Sequence, residues 1–249
     1  MKKIIYLGCL SKKYYESTCE NAIKIINMLD SEYQDFDDVP CCGSLSYHIT
    51  SDDALKEHAE FVNNWFKENN ITELITICAG CYRYFTHYYP KYLGSDFNVK
   101  VQHLLQFMSQ PENLKKLNLK YEGQKLVITY HDPCHLISSS PKITDEPRSI
   151  LNSIDGNIIL KDLEYANDIS ICCGAGGGVY SSFKGNSDYN SKLIFQQAKK
   201  ARAKVLLTPC PFCYTSLMRI KKENERIRIP VIKFEDFISR LIEGVDPIE

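Results

Sequence analysis

The sequence carries almost no net charge: 30 Lys and Arg against 31 Asp and Glu leave a formal −1 over 249 residues. Such a balance argues against a protein held to nucleic acid or to a membrane surface by bulk electrostatics. It also lacks long apolar runs. No stretch approaches the roughly 20 apolar residues that span a bilayer. The N-terminal MKKIIYLGCLSKKYYES has neither the apolar h-region nor the small-residue cleavage site of a signal peptide. Low-complexity segments are absent as well. On these grounds the chain reads as cytoplasmic, peripheral to a membrane only through a partner, and its cysteines are not expected to form disulfide staples. The remaining composition, 44% hydrophobic and 24% charged, is that of an ordinary soluble protein with room for one large domain or two of roughly 120 residues.

What is present in excess is cysteine, 11 residues of it. Adjacent cysteines followed by glycine occur in VPCCGSLSY (39–47) and return 131 residues later in SICCGAGGGVY (170–180). With Cys19 set aside, the other ten fall into two sets, C-x31-CC-x35-C-x2-C from Cys9 to Cys81 and C-x37-CC-x36-C-x2-C from Cys134 to Cys213. Spacings so alike indicate an internal duplication. The flanks agree: KKIIYLGC and KLVITYHDPC each run a strand-like segment into the first cysteine, and ITELITICAGC and AKVLLTPCPFC each run one into the CxxC. FNVKVQHLLQFM and RIPVIKFEDFISRLI read as a short strand entering a helix, and ESTCENAIKIINMLDSE, SDDALKEHAEFVNNWFKENN and SDYNSKLIFQQAKKARA carry the helical period.

Strands alternating with helices predict an α/β fold of two pseudo-symmetric duplicated halves, each a small, mostly parallel sheet with flanking helices. The polar LKKLNLKYEGQ, with its turn-like YEGQ, places the boundary between halves 1–118 and 119–249. The terminal EGVDPIE reads as a loose tail. Ligands of open α/β sheets collect at the carboxyl ends of strands. The cysteines that follow strands, joined by the Cys-Cys-Gly loops, should therefore converge at one edge of each sheet.

Five converging thiols point to a metal. A structural zinc site closes with four ligands, usually from two CxxC knuckles. Here each half has one CxxC and an adjacent pair, which suits a larger or more open iron–sulfur cluster. Gly43 and Gly174 allow a positive φ and close backbone approach, so that N–H groups can face cluster sulfurs. The GAGGG stretch lacks the spacing and the strand–turn–helix order of a dinucleotide fingerprint.

The repeated cysteine pattern, with HDPCH, CCGAGGG and CPFC, resembles the cysteine-rich CCG domain family over roughly residues 2–240. Its best-known members are the B and D subunits of heterodisulfide reductase. The resemblance implies one non-cubane 4Fe–4S cluster per half. Cys9, Cys41, Cys42, Cys78 and Cys81 would hold the first, and Cys134, Cys172, Cys173, Cys210 and Cys213 the second. It further implies that the two clusters face each other across a small-thiol (hetero)disulfide, that electrons cleave the S–S bond, and that both thiolates leave after protonation. Both motifs are complete, which favours this reading. No N-terminal ferredoxin-like CxxCxxC is present, so the implied partners are a separate ferredoxin-like iron–sulfur subunit and a flavin subunit. The competing readings are an electron-transfer subunit linking a flavin dehydrogenase of succinate, lactate or glycolate type to a quinone or other carrier, and an assembly protein whose clusters only tie the fold.

Other residues carry a functional and a bland reading side by side. His131 and His135 bracket Cys134 and are candidate catalytic proton donors to a departing thiolate; capping a loop or hydrogen-bonding a cluster sulfur is the alternative. Asp132, before Pro133, reads as a turn organiser. Cys19 reads as a buried, inert thiol. Tyr82, Tyr84, Tyr88 and Tyr89 either line a substrate groove or fill the core. His48 and His87 read as structural. Lys12, Lys13 and Arg83 either hold an anionic substrate or are solvated. The charge runs KKARAK (199–204) and RIKKENERIRI (219–229) read as solvated helix faces.

Overall fold

The computed structural model describes residues 1–36 and 38–248, His48 through its backbone only. The first half builds a sheet from β1 (Lys2–Tyr6), β2 (Tyr33–Asp35), β3 (Ile71–Thr76) and β4 (Lys100–His103), in the order β2-β1-β3-β4. The second uses β5 (Lys120–Tyr130), β6 (Asp155–Leu160), β7 (Val205–Thr208) and β8 (Val231–Lys233), in the order β6-β5-β7-β8. Every ladder is parallel. The two halves thus share one winding order, as the duplicated cysteine pattern predicts. Parallel strands are covered on both faces, so their central residues must all be apolar. Ile4, Ile5, Leu74, Ile75, Leu206 and Leu207 are fully buried for this reason.

The helices of the first half are α1 (Cys9–Tyr14), α2 (Glu16–Leu29), α3 (Asp52–Glu68), α4 (Ala79–Arg83), α5 (Tyr89–Leu93), α6 (Leu104–Met108) and α7 (Pro111–Leu117). Those of the second are α8 (Cys134–Ile137), α9 (Asp145–Asn152), α10 (Val179–Ser182), α11 (Lys184–Lys200), α12 (Pro211–Glu223) and α13 (Phe234–Glu243). The long periodic segments of the sequence become α2, α3 and α11. Two expectations fail. YEGQ lies inside β5, which shifts register between Tyr121 and Leu126, so the turn-like composition marks an irregular strand. The terminal segment is packed: Pro247 is buried, its carbonyl accepts from Arg240 Nη1 at 3.1 Å, and Ile248 lies against the core.

One apolar core runs through both halves, joining Ile25 and Leu104 to Ile128 and Phe237. α2 packs on α13 along this seam. There Lys233 Nζ donates to Thr18 Oγ1 (2.7 Å), which donates to Asp236 Oδ2 (2.9 Å), and Asn21 Nδ2 donates to Asp236 Oδ1 (2.9 Å). The ammonium also lies 3.9 and 4.2 Å from the ring centres of Tyr15 and Tyr214. Beside it, burial raises the carboxyl of Glu235 from its ordinary 4.5 to about 8. Between those values the folded chain keeps a proton that the unfolded chain has released. Stability present below pH 4.5 is therefore lost as pH rises toward 8, at up to about 1.4 kcal/mol per pH unit. Urea titrations of metal-free protein across that range should show the decline in the native chain and lose this component in Glu235→Gln. A parallel decline in both would refute the assignment.

Candidate functional site

Each strand that ends in a cysteine delivers it to the carboxyl edge of its sheet. Cys9 opens α1 after β1, Cys78 caps α4 after β3, Cys134 opens α8 after β5, and Cys210 caps α12 after β7. In the first half the thiols form a chain. Cys9 Sγ lies 3.7 Å from Cys41 Sγ, Cys41 Sγ contacts Cys42 Sγ, Cys42 Sγ lies 3.2 Å from Cys81 Sγ, and Cys81 Sγ contacts Cys78 Sγ. The second half repeats the order. Cys134 and Cys172 are 3.4 Å apart, and contacts continue through Cys173 and Cys213 to Cys210. These separations far exceed a disulfide bond of about 2.05 Å.

Crowding sets the protonation pattern. Hydrogen bonds, led by that from Cys42, hold Cys41 down to about 2, while the bond it shares with Cys41 pushes Cys9 up. Cys172, bonded first by Cys134, is likewise held down to about 2 and Cys134 is pushed up. In each pair the first thiol is pushed up and its neighbour from the Cys-Cys-Gly motif is held down. The Gly43 and Gly174 N–H groups assist it, the latter at 3.3 Å from Cys172 Sγ. Both glycines adopt φ of +86° and +72°, and a Cβ would meet His58 at 2.6 Å or the Ser187 backbone at 2.9 Å. No other residue type fits these turns without displacement.

The donor set fits a polynuclear metal centre. Five contiguous thiols per half, mostly buried, surround cavities lined by no Lys or Arg among the described residues. Ionising them together requires a cationic core. His131 adds an orphaned polar group: it is 0 % exposed, neither ring nitrogen has a partner among the described residues, and a ring nitrogen lies within 4.8 Å of the Cys173 and Cys213 Sγ atoms. The corresponding position in the first half, three residues before the first cysteine, is Tyr6, whose hydroxyl donates to Pro40 O (2.7 Å).

The halves meet by exchanging parts across the pseudo-twofold axis. α4 packs on α8, and α1 on α12. Phe212, of the second CxxC, lines the first thiol cavity, and Ser44 and Leu45, after the first Cys-Cys-Gly, line the second. The symmetry is then broken at two matched positions. The third CxxC residue is Gly80 in one half and Phe212 in the other, and the residue after the first cysteine is Leu10 in one and His135 in the other. Leu10 and Phe212 both line the narrow first thiol cavity and make that side apolar. Gly80 and His135 open the other into a cavity of about 170 Å³, walled by Tyr47, Tyr84 and Tyr88 and reached by Arg83 and Cys134. At Gly80 a Cβ would stand 2.9 Å from Ser44 Oγ and 3.4 Å from His135 Nδ1. Arg83 Nη1 donates to Ser138 O, tying α4 to the second half. Tyr84–Tyr88 forms a single π turn, which aims Tyr84 and Tyr88 inward together.

The other sequence-level candidates separate cleanly. Tyr82 and Tyr89 are core, whereas Tyr84 and Tyr88 are both core and cavity wall. Lys12 pairs with Asp35 at 3.7 Å, Lys13 and His87 are exposed, and none of the three lines a thiol cavity. The side chain of His48 lies outside the described residues. Cys19 is buried away from both sets, its thiol raised by burial to about 11. Asp132 does more than organise a turn: its carboxylate, 1 % exposed, takes a two-pronged ion pair from Arg148 (2.8 and 2.9 Å). Sequence reading missed Gly80, Phe212 and Arg148. For the first two a signal existed, since CAGC and CPFC differ at one matched position of an otherwise faithful duplication.

The profile of the cysteine-rich domain family, CCG, matches this chain twice, over residues 4–86 and 128–218. The chain is 28% identical over 220 residues to the D subunit of the dihydromethanophenazine:CoB–CoM heterodisulfide reductase of Methanosarcina acetivorans, covering 86% of this chain and 53% of that one. It is 30% identical over 209 residues to the B subunit of the fumarate reductase (CoM/CoB) of Methanothermobacter marburgensis, covering 82% and 39%. To the EtfAB:quinone oxidoreductase of Syntrophomonas wolfei it is 24% identical over 230 residues, covering 86% and 30%. The chain spans about half the length of the heterodisulfide reductase polypeptide it matches.

Proposed function

This chain belongs to the cysteine-rich CCG domain family, and from that membership and the two five-thiol sites we propose that it is the iron–sulfur catalytic subunit of a heterodisulfide-reductase-like complex, reducing a (hetero)disulfide of small anionic thiols. The observation that carries the reading is an open cavity lined by residues of both halves, reached by Cys134 and bordered by His135 and Arg83. We assign Cys9, Cys41, Cys42, Cys78 and Cys81 to one 4Fe–4S cluster of non-cubane type and Cys134, Cys172, Cys173, Cys210 and Cys213 to the other, in halves 1–118 and 119–249. When bound, the two clusters would supply the two electrons that one S–S bond consumes.

The chain's own residues do the rest. Arg83 offers its guanidinium to an anionic group of the substrate, and the Tyr84 and Tyr88 rings wall the cavity. Reduction breaks the S–S bond, takes two electrons and two protons, and yields two thiols. His135 borders the cavity and delivers a proton to one departing thiolate; the other comes from solvent through the cavity mouth. His131 does not line this cavity, so its proposed role is different: an N–H donated to a thiolate sulfur of the second set, where the first set has Tyr6. The electron source is a ferredoxin-like iron–sulfur subunit served by a flavin subunit. No described helix is long and apolar enough to cross a membrane, and we place the complex in the cytoplasm, with membrane contact left to a partner.

The likeness to a quinone oxidoreductase favours a second reading, electron transfer between a flavin dehydrogenase and a carrier. Iron and acid-labile sulfide on anaerobically purified protein, with EPR after oxidation beside candidate thiols, separate the two. About eight irons per chain and a thiol-dependent paramagnetic signal are expected. The same iron with no thiol response would move the assignment to electron transfer, and zinc without sulfide would end both.

A further inference from the structure

The two charge runs that sequence reading treats as solvated faces contribute to one groove, which no cysteine lines. α11 turns Lys192, Gln196 and Lys199 outward around the buried ring of Phe195, positions spaced as one helical face. Facing them, the chain turns at Glu225–Arg226, where the Ile227 N–H bonds Asn224 O at 3.0 Å, and leads through residues 227–230 into the edge strand β8, with exposed Arg226 and Arg228 alternating with half-buried Ile227 and Ile229. Between helix and segment lies a groove of about 450 Å³ with an apolar floor and basic walls.

Three observations select its occupant. From Lys184 to Arg228 the chain carries eleven Lys or Arg and three Asp or Glu, against a whole-chain charge of −1. The neighbouring Lys184, Lys200 and Arg219 are neutralised by Glu223, Glu164 and Asp188. Among the described residues the side chains of Lys192, Lys199, Arg226 and Arg228 have no acidic partner. Finally, the backbone N–H and C=O groups of Arg228 and Ile229 make no hydrogen bond within the described residues. A groove between a helix and the segment leading into an edge strand, with free main-chain groups and an apolar floor, accepts a peptide as an added strand.

We propose that this groove docks an extended, acidic segment of a partner protein, added as a strand beside Arg228 and Ile229. Its apolar side chains rest on Phe195, Ile227 and Ile229, and its carboxylates pair with the four basic side chains. The proposal does not depend on disulfide chemistry, and its failure would leave that reading intact. The test uses the full chain and a fluorescein-labelled, strand-length peptide of alternating Glu and Val, followed by anisotropy at low salt. Arg226→Glu with Arg228→Glu, both exposed positions, should weaken binding at least about tenfold. N-methylation of alternate peptide nitrogens should weaken it comparably, because it removes the main-chain donors. Three results would overturn the proposal: no binding of the Glu–Val peptide; equal binding of a polyglutamate of matched charge; or tighter binding of single-stranded RNA, which would reveal a phosphate-binding face.

Discussion

Replacing Gly80 by Phe is expected to lower disulfide turnover by at least about a hundredfold, the scale on which misplacing bound reactants is felt, while the iron content stays that of the native protein. The cause is the broken symmetry of the two CxxC motifs. Phe212 occupies the third position of the second motif and, with Leu10, lines only a narrow cavity on its side. Gly80 occupies the matched position and leaves a cavity of about 170 Å³ beside His135 and Arg83. Gly80 sits in the short helix α4 without a positive φ, so its backbone accepts an L side chain. The new ring would point at Ser44 Oγ and His135 Nδ1 and fill the cavity as Phe212 fills its own side. No cysteine ligand moves in this scheme. Gly80→Ala should sit between, since only Ser44 must rotate. Steady-state reduction of candidate disulfides, read beside iron and sulfide content, checks the prediction. Native turnover in Gly80→Phe would remove the cavity from the mechanism. Unchanged electron transfer to a carrier, with disulfide turnover undetectable in native and variant alike, would establish the electron-transfer reading.

The parts of this structure that sequence shows are those governed by local period and by topology. Short apolar runs rich in β-branched residues, such as KIIY, LIT and VLLT, suit strands buried on both faces, and a strand followed by a cysteine places that cysteine at the carboxyl edge of its sheet. The two groups of five thiols therefore follow from spacing and from winding order, before any contact is known. What sequence hides is decided between the halves. His135 and His131 look equivalent on either side of Cys134, yet α8 carries one into the cavity while the other, just past the end of β5, is buried beside Cys173 and Cys213. YEGQ has turn composition, but pairing with β6 draws it into a strand. Ile248 looks like part of a tail until Pro247 and Arg240 meet. Each outcome depends on a partner distant in sequence, to which neither propensity nor period refers.

The same holds for Arg148, whose removal should have the largest effect on stability. Its guanidinium grips both oxygens of Asp132 at 2.8 and 2.9 Å, donates to Thr144 O at 2.6 Å and reaches Asp162 at 2.7 Å. Asp132 in turn accepts from the Asn167 N–H (2.9 Å) and, through its carbonyl, from Ser170 Oγ (2.9 Å). The ion pair thus joins the HDPC turn, which carries Cys134, to the loop that delivers Cys172 and Cys173. Arg148→Ala leaves the Asp132 carboxylate buried without its counter-charge, a loss of about 3–5 kcal/mol, set against a total stability of about 5–15 kcal/mol for a typical domain. Arg148→Lys cannot reproduce the planar fork and should recover only part of it. Because the tether serves the second set of cysteines alone, iron bound by Arg148→Ala protein on reconstitution should fall by about half, with Cys9 to Cys81 still filled. Urea titration of metal-free protein reads the stability, and iron per chain reads the site. The double variant Asp132→Asn with Arg148→Ala should regain stability relative to Arg148→Ala, because the stranded charge is gone, but not the loop geometry. A destabilisation below about 1 kcal/mol, the value of an exposed pair, or equal iron loss from both halves, would show that the pair neither bears buried charge nor positions the second set.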